Sequence, residues 1–565
     1  MTKNNRFSAL LLAVSMLVGT TSVFAQNVTG RIVCDGKGVA QVPVSDGDVT
    51  VLTDRDGRYA LQSDKRNGYV FYTLPRGYEP ELADGFRPQF WALLGSADKL
   101  INETHDFRLK RRSGSDNYLM VIGADTHLAD RVEDLKQYRQ FTSALERERQ
   151  EAGNKMIHSL LLGDLAWDVY WTSNNYALPE FLNTCREQRY SIPLWPVMGN
   201  HDNNPSISEG EATDFLCSGA WRRVMGPNYY SFNLGKVHYV VLDNIYYKNE
   251  HKAGGKYKAG VAGERNYDGM FTEEQLRWLA NDLALVKDKD NPVIVAVHIP
   301  VWRLNLETYA TKANLKKESS ERLCALFKDF REVHIVSGHT HINYVAHPAD
   351  FPNVTEHNIA AVCATWWNTG FLTGRHVCKD GTPGGYTIWE VKGKKLKWTY
   401  RSMTGKDHNA QMRIYDMNTV KQRYKADATV RAMLERYPNR IDYGTYGDNV
   451  VLVNVFAYDT SWKIQVSEGG RQLPVERVSG EDPFHTLAYD VPTFKQKGKY
   501  GDGSATGRTG HLFRVQTTSS ILPVTVKVTD SFGRTYVHSI SRPHAYGLDM
   551  EDNELEGTLK GGSIN

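Results

Sequence analysis

The alternation of apolar and polar residues changes period twice along the chain, which divides it into three folded zones. From residue 27 to 110 the period is two. Val28-Thr-Gly-Arg-Ile-Val-Cys34, Gln41-Val-Pro-Val-Ser45, Val49-Thr-Val-Leu-Thr53 and Arg58-Tyr-Ala-Leu61 are short runs, punctuated by Asp35-Gly36 and Asp54-Arg-Asp-Gly57. Short strands with glycine turns at this spacing predict a small β-sandwich. Arg111 to Asp116 is polar, and from Asn117 short apolar runs alternate with helical spacing. Tyr118 to Ile122 predicts a strand, and Val132, Leu135, Tyr138, Phe141 and Leu145 recur on one helix face. Ser159 to Leu162, Leu194 to Met198, Val293 to Val297 and Val333 to Val336 predict further strands, and Gly235-Lys236 a hairpin between Tyr229 to Leu234 and Val237 to Leu242. Thr272-Glu-Glu-Gln275 is a capping box before Leu276, Leu279, Leu283 and Val286, and Glu321 to Phe330 reads as another helix. Strands alternating with helices predict an α/β layered domain. After Lys406 the period returns to two at Val450 to Ala457, Trp462 to Val466, Leu512 to Gln516 and Val524 to Val528, which predicts a second sandwich.

The expected organisation is therefore residues 26–112, an N-terminal β-sandwich; 113–405, the α/β domain; 406–549, a C-terminal β-sandwich; and 550–565, a polar, glycine-rich tail. Residues 1–25 read as an export signal. Lys3 and Arg6 form its charged start, Ala9 to Val18 its apolar stretch, and Val23-Phe-Ala25 its small-residue cleavage site. The expectation is a mature protein in the periplasm or secreted. No later run approaches the roughly 20 apolar residues that span a bilayer.

Charge narrows the partners. A formal net charge of +3 is small for 565 residues. The clusters Lys110-Arg111-Arg112 and Lys392, Lys394, Lys395, Lys397 are short, so they read as solvated faces without a nucleic-acid footprint. Six cysteines show no Cys-x-x-Cys spacing, which disfavours a thiolate zinc site, and Cys363 with Cys378 is the first pair to examine for a disulfide.

The candidate chemistry lies where the apolar runs of the α/β domain stop. Gly123-Ala-Asp125-Thr-His127, Gly163-Asp164, Gly199-Asn-His-Asp202, His298 and Gly338-His339-Thr-His341 each follow such a run. In open α/β sheets, ligands bind at the carboxyl ends of the strands. Carboxylate, imidazole and amide oxygen together suit divalent metals of the Mn, Fe and Zn class. Seven donors exceed what one open ion needs, so two metals sharing a carboxylate is the economical count.

In this set and order the chain resembles the calcineurin-like metallophosphoesterases. Their pattern is Asp-x-His, Gly-Asp, Gly-Asn-His-Asp/Glu, a lone His and Gly-His-x-His, which covers about residues 117–345 here. The resemblance implies a layered core of two mixed β-sheets flanked by helices. It implies one metal on Asp125, His127 and His341, a second on Asn200, His298 and His339, and Asp164 as the bridge. It also implies His201 as a general acid that binds no metal, with Asp202 orienting it. The function implied is hydrolysis of a phosphate ester by hydroxide generated at two divalent metal ions. With its flanking sandwiches the chain looks like an exported bacterial subgroup of that family that carries N- and C-terminal accessory domains.

The expected substrate is a phosphodiester of an exported glycan, lipid headgroup or nucleotide, with phosphomonoester hydrolysis as the alternative. A strong basic cluster beside the motifs, which a doubly charged monoester would favour, is not evident. Trp302, Trp367, Asp380 and Tyr386 are candidate substrate contacts, the last three within Trp366-Trp367-Asn-Thr-Gly370 and Cys378-Lys-Asp-Gly-Thr-Pro-Gly-Gly-Tyr386. An inactive surface-binding protein is disfavoured by the full ligand set with His201, and a metal hydrolase of other esters by Gly-Asn-His-Asp. Oligomeric state is not legible.

Overall fold

The computed structural model describes residues 26–306, 308–500, 503–550 and 562–563. The export segment and most of the tail lie outside these residues. Two sheets form the centre of the molecule. The first runs, in spatial order, Leu194–Val197, Met156–Leu162, Asn117–Gly123, Gly385–Lys392 and Lys395–Ser402. Its first three strands are parallel and its last two add antiparallel. The second runs Tyr230–Leu234, Val237–Val241, Val293–Ala296, Val333–Ser337, Val354–Asn358 and Tyr344–Ala346, with its four inner strands parallel.

The parallel strands read as apolar runs because both their faces are covered; every residue of Met156–Leu162 and Val293–Ala296 is buried. The sheets face each other. Trp195 stacks on Phe232 with ring centroids 3.9 Å apart, and the hydroxyls of Tyr118 and Tyr239 meet at 2.8 Å across the interface. On the outer side of the first sheet lies the helix Asp134–Ala152, which buries Tyr138, Phe141, Ala144 and Leu145. The helix Glu273–Leu285 opens at Thr272, whose hydroxyl accepts from the Gln275 amide at 3.3 Å, as the capping box predicts. The helix expected over 321–330 instead spans Lys317–Ala325. Beyond it the backbone tightens into turns, with the Phe330 amide bonded to the Phe327 carbonyl at 3.0 Å.

Residues 26–112 form sheets of six and four short strands, mostly antiparallel, with Val28–Cys34 parallel to Phe107–Arg111. This domain docks on the hairpin edge of the core, where the Tyr229 hydroxyl donates to the Gly47 carbonyl at 2.7 Å. The C-terminal domain has two four-stranded antiparallel sheets, Met412–Asp416 to Glu476–Glu481 and Arg471–Leu473 to Thr535–Ile540. Among the helices that the strand-like reading of this zone did not anticipate are Met417–Ala426 and Ala428–Arg436. Each starts at an aspartate, Asp416 and Asp427, whose carboxylate accepts from the first turn. Among the described residues no helix is long and apolar enough to cross a membrane. All six cysteines are free and buried, Cys363 and Cys378 included.

Candidate metal centre

Five parallel strands, three from one sheet and two from the other, end at a common point. Asp125 and His127 follow Gly123, Asp164 follows Leu162, Asn200 follows Val197, His298 follows Ala296, and His339 and His341 follow Ser337. Turning each chain inward directly after its strand demands unusual backbone. Asp125, His127, Asp164, His339 and His341 all have positive φ, between 43° and 69°. Non-glycine residues there cost on the order of 1–3 kcal/mol each and persist where the surroundings enforce them, typically at functional sites. The glycine beside Asp164 has a steric reason. A Cβ on Gly163 would lie 2.7 Å from the Cα of Gly199 and 2.6 Å from Nδ1 of His298, so two loops and a ligand could not meet there.

The donors fall into two groups. In the first, Nε2 of His127 and Nε2 of His341 are 3.1 Å apart. Oδ1 of Asp125 lies 3.7 Å from the former and 3.5 Å from the latter. In the second, Nε2 of His298 lies 3.0 Å from Oδ1 of Asn200 and 3.1 Å from Nδ1 of His339. One atom belongs to both groups: Oδ2 of Asp164, 3.4 Å from Nε2 of His127 and 3.2 Å from Nε2 of His298.

These groups fit a pair of cations. His298 donates from Nδ1 to the Leu162 carbonyl at 2.7 Å, and His341 from Nδ1 to the Ala364 carbonyl at 2.6 Å. Both rings therefore turn Nε2 toward the neighbouring oxygen and nitrogen donors of their group, the orientation that hydrogen bonds behind metal ligands impose. Oδ1 of Asp125 is buried without a hydrogen-bond partner among the described residues, a costly state for a carboxylate unless a cation faces it. Burial would raise the Asp125 and Asp164 carboxyls, yet the surrounding histidines hold both below the usual carboxylate range. Burial pushes His127 down to about 4 and His339 to about 3, which keeps them neutral as ligands must be. In His298 burial also lowers the ring, but Asp164 outweighs it and raises it to about 9. A proton there takes the place that a cation would fill.

His201 stands beside the pair, with a ring nitrogen within 4.8 Å of ligand atoms of His127 and Asp164. Its Nδ1 lies 2.7 Å from Oδ1 of Asp168, and its backbone amide donates to Oδ1 of Asp164 at 2.7 Å. Burial lowers its ring, but Asp168 and Asp164 raise it overall. Arg265 donates to the same Asp168 oxygen at 2.8 Å. The expectation that Asp202 orients His201 is corrected here. The Asp202 carboxylate folds back on its own turn and accepts from the amides of Gly199 at 2.8 Å, Leu165 at 2.9 Å and Ala166 at 3.2 Å. Asp168, not noted in the sequence, is the orienting carboxylate. Its only sequence signal is its place four residues after Asp164.

The four residues proposed from sequence as substrate contacts are also corrected, since all are buried in structural roles. Trp302 has 6% of its surface exposed and packs on Phe351. The Trp367 indole donates to the Thr126 carbonyl at 2.8 Å, bracing the loop between Asp125 and His127 from behind. The Tyr386 hydroxyl donates to Glu148 at 2.6 Å on the far helix. Asp380 accepts from the Asn343 amide at 2.6 Å, the Thr382 amide at 2.9 Å and His511 at 3.1 Å, at the junction with the C-terminal domain. The aromatic residues at the centre are others. Trp366 stacks on His341 at 4.1 Å, Trp167 lies edge-on to His127 at 5.3 Å, and the Tyr267 hydroxyl is 3.3 Å from Nε2 of His339.

Comparison with known proteins agrees with this architecture. Residues 120–343 match the family model for the Calcineurin-like phosphoesterase, residues 26–112 the model for the N terminal of Calcineurin-like phosphoesterase, and residues 356–536 that for its C terminal. In the fold the last of these segments contributes Gly385–Lys392 and Lys395–Ser402 to the core sheet before its own domain begins. The serine/threonine-protein phosphatases CPPED1 of Homo sapiens and Pongo abelii are 29% identical over 157 residues, 27% of this chain. The chain spans 43% of the length of these relatives. Among solved structures, a dimetal phosphatase from Danio rerio aligns over 51% of this chain and 96% of its own, with 16% identity and a TM-score of 0.33. A 5'-nucleotidase from Candida albicans aligns over 51% of each chain, with 10% identity and a TM-score of 0.29. The chain belongs to the calcineurin-like metallophosphoesterases, with that family's N- and C-terminal accessory domains.

Proposed function

We propose that this protein hydrolyses a phosphate ester of an alkyl alcohol, with His201 protonating the departing oxygen. The observation that carries the reading is the shared Oδ2 of Asp164, which joins two donor groups into one binuclear site. Two divalent cations, of the Mn, Fe or Zn class on this donor set, would neutralise phosphoryl oxygens and acidify a shared water. The chain's own residues supply the rest. Asp125, His127 and His341 would hold one cation, and Asn200, His298 and His339 the other. Asp168 anchors Nδ1 of His201, so Nε2 can present a proton to the leaving oxygen.

Between ester classes the geometry favours the monoester. Two grounds for a diester fall away. The residues expected to contact its neutral arm are buried elsewhere, and cations do stand near the centre: Arg131, Lys258 and Lys379, brought in from separate segments. A dianionic ester gains more from them than a monoanionic one. The test is turnover of p-nitrophenyl phosphate and bis-p-nitrophenyl phosphate by protein loaded with Mn²⁺, Fe²⁺ or Zn²⁺. Preference for the first supports the reading, preference for the second overturns the ester class, and turnover of neither by protein holding two metals overturns the function.

Export completes the proposal. The charged, apolar and small-residue order of residues 1–25 supports it, and N-terminal sequencing of the protein from the cell envelope should begin at Gln26.

A further inference from the structure

We propose that the His201 side of the metal centre is an anion-recognising wall, and that the preferred ester carries a second oxyanion in its leaving group. The wall is a run of three rings. Trp167 lies 5.9 Å from the His201 ring and 5.3 Å from that of His127. Trp366, which stacks on His341, joins this run at its other end 6.4 Å from Trp167, and Tyr170 lies 5.3 Å from Trp167. Each ring carries a cation. The Arg131 guanidinium is 4.3 Å from the Trp167 ring, Lys379 Nζ is 5.3 Å from Trp366, and Lys258 Nζ is 4.0 Å from Tyr170.

Among the described residues none of these three cations forms a salt bridge, whereas Arg265, on the other flank of His201, is paired with Asp168. Arg131 already donates from one terminal nitrogen to Oδ1 of Asn368 at 3.4 Å and from the other to the Trp366 carbonyl, but each terminal nitrogen carries a second N–H, and a guanidinium matches an oxyanion in a two-pronged contact. Among the described residues two donors on the wall, Nε of Arg131 and Nε1 of Trp167, are buried without a partner. Buried donors in folded proteins are normally satisfied, so such a pair points to a ligand.

The cations are also held in place. Arg131 donates to the Trp366 carbonyl at 3.0 Å. Lys379 donates to the Gly503 carbonyl at 3.1 Å, and its own carbonyl accepts from the Gly507 amide at 2.9 Å, so the C-terminal domain fixes one edge of the wall. The loop bearing Lys258 reaches Tyr170 because Gly260, at φ 79°, packs directly on Thr172, where no Cβ would fit. Position decides what the wall binds. His201 marks the leaving-group side, and the wall extends outward from it through Trp167 to Tyr170. Lys258 is thus one ring further from the centre than Trp167, placed for a group separated from the phosphorus under attack.

The inference rests on His201 as leaving-group acid, and the experiment separates the two. The kcat/KM of metal-loaded enzyme is measured on 3-hydroxypropyl phosphate, 2-carboxyethyl phosphate and propane-1,3-diol bisphosphate. At least a tenfold preference for the doubly charged esters is expected, carried mostly by KM. Arg131→Met, Lys258→Met and Lys379→Met should each reduce that ratio several-fold, and Lys379→Arg should keep it. The carboxylate and phosphate arms tell which oxyanion the wall prefers. In parallel, tryptophan fluorescence of metal-free protein is titrated with propane-1,3-diol bisphosphate, and a saturating change that Arg131→Met abolishes is expected. A ratio near one in the wild type, or a ratio unchanged in all three methionine variants, overturns the wall. Failure to hydrolyse any ester while the titration saturates would overturn the proposed function and leave the wall standing.

Discussion

Nδ1 of His201 lies 2.7 Å from Oδ1 of Asp168, while Asp202, its neighbour in the motif, makes three hydrogen bonds to backbone amides instead. The two aspartates therefore have separable consequences. Asp168→Asn should retain both metals and lower kcat on an alkyl phosphate by about 10–100-fold, the usual effect of removing the partner that orients a functional histidine. Asp202→Ala strands three buried amides and should lower stability by about 1–3 kcal/mol, seen as a drop in thermal midpoint. Equal kcat in Asp168→Asn and wild type would return the orienting role to another residue.

The shared oxygen of Asp164 predicts a second asymmetry. Asp164→Asn should empty both metal positions, because neither group keeps its anionic bridge. Asn200→Ala should empty only the position it serves with His298 and His339. Metal content per chain by elemental analysis decides it. Two metals retained in Asp164→Asn would be incompatible with a bridge.

His201→Ala should keep both metals and lose turnover in proportion to the basicity of the leaving group. The loss should approach about 10²–10⁴-fold for an alkyl phosphate. It should be far smaller for p-nitrophenyl phosphate, whose leaving group departs without a proton. A leaving-group-independent loss would remove His201 from the acid role.

What the sequence revealed and concealed follows from how far apart the cooperating residues lie. Asp125, Asp164, Asn200, His298 and His339 were legible because each closely follows the apolar strand that delivers it. The split into a five-stranded and a six-stranded sheet was legible only as a class. Gly385–Ser402 joins the first sheet from across the chain. Trp366 and Trp367 are neighbours with opposite fates: one stacks on His341, and the other turns inward to brace Thr126. Both have positive φ, a feature composition does not announce. The wall cations were hidden for the same reason. Arg131, Lys258 and Lys379 are single basic residues in ordinary surroundings, and only the fold brings them to one surface. In the C-terminal domain, strong β alternation drew attention from Val420, Tyr424, Val430 and Met433, which are buried at helical spacing.

Asp380 supplies the last prediction, in which stability and substrate binding give opposite outcomes. Its carboxylate is fully buried where the C-terminal domain meets the turn after His341, and it accepts from the Asn343 amide, the Thr382 amide and His511. Burial would raise its pKa, but His511 and the two amides together lower it below the ordinary carboxylate value. A depressed folded pKa contributes stability that is fully present above the unfolded value, near 3.9, and is lost as pH falls through the lower folded value. Wild-type protein should therefore lose part of its resistance to urea on going from pH 5.5 to pH 3.5. Asp380→Asn should lack that component of the pH dependence. At pH 7 the substitution should cost about 2–3 kcal/mol, the penalty for disturbing a buried, hydrogen-bonded charge, and leave KM near its wild-type value. A raised KM with an unchanged urea midpoint would instead place Asp380 in substrate binding and remove it from the domain junction.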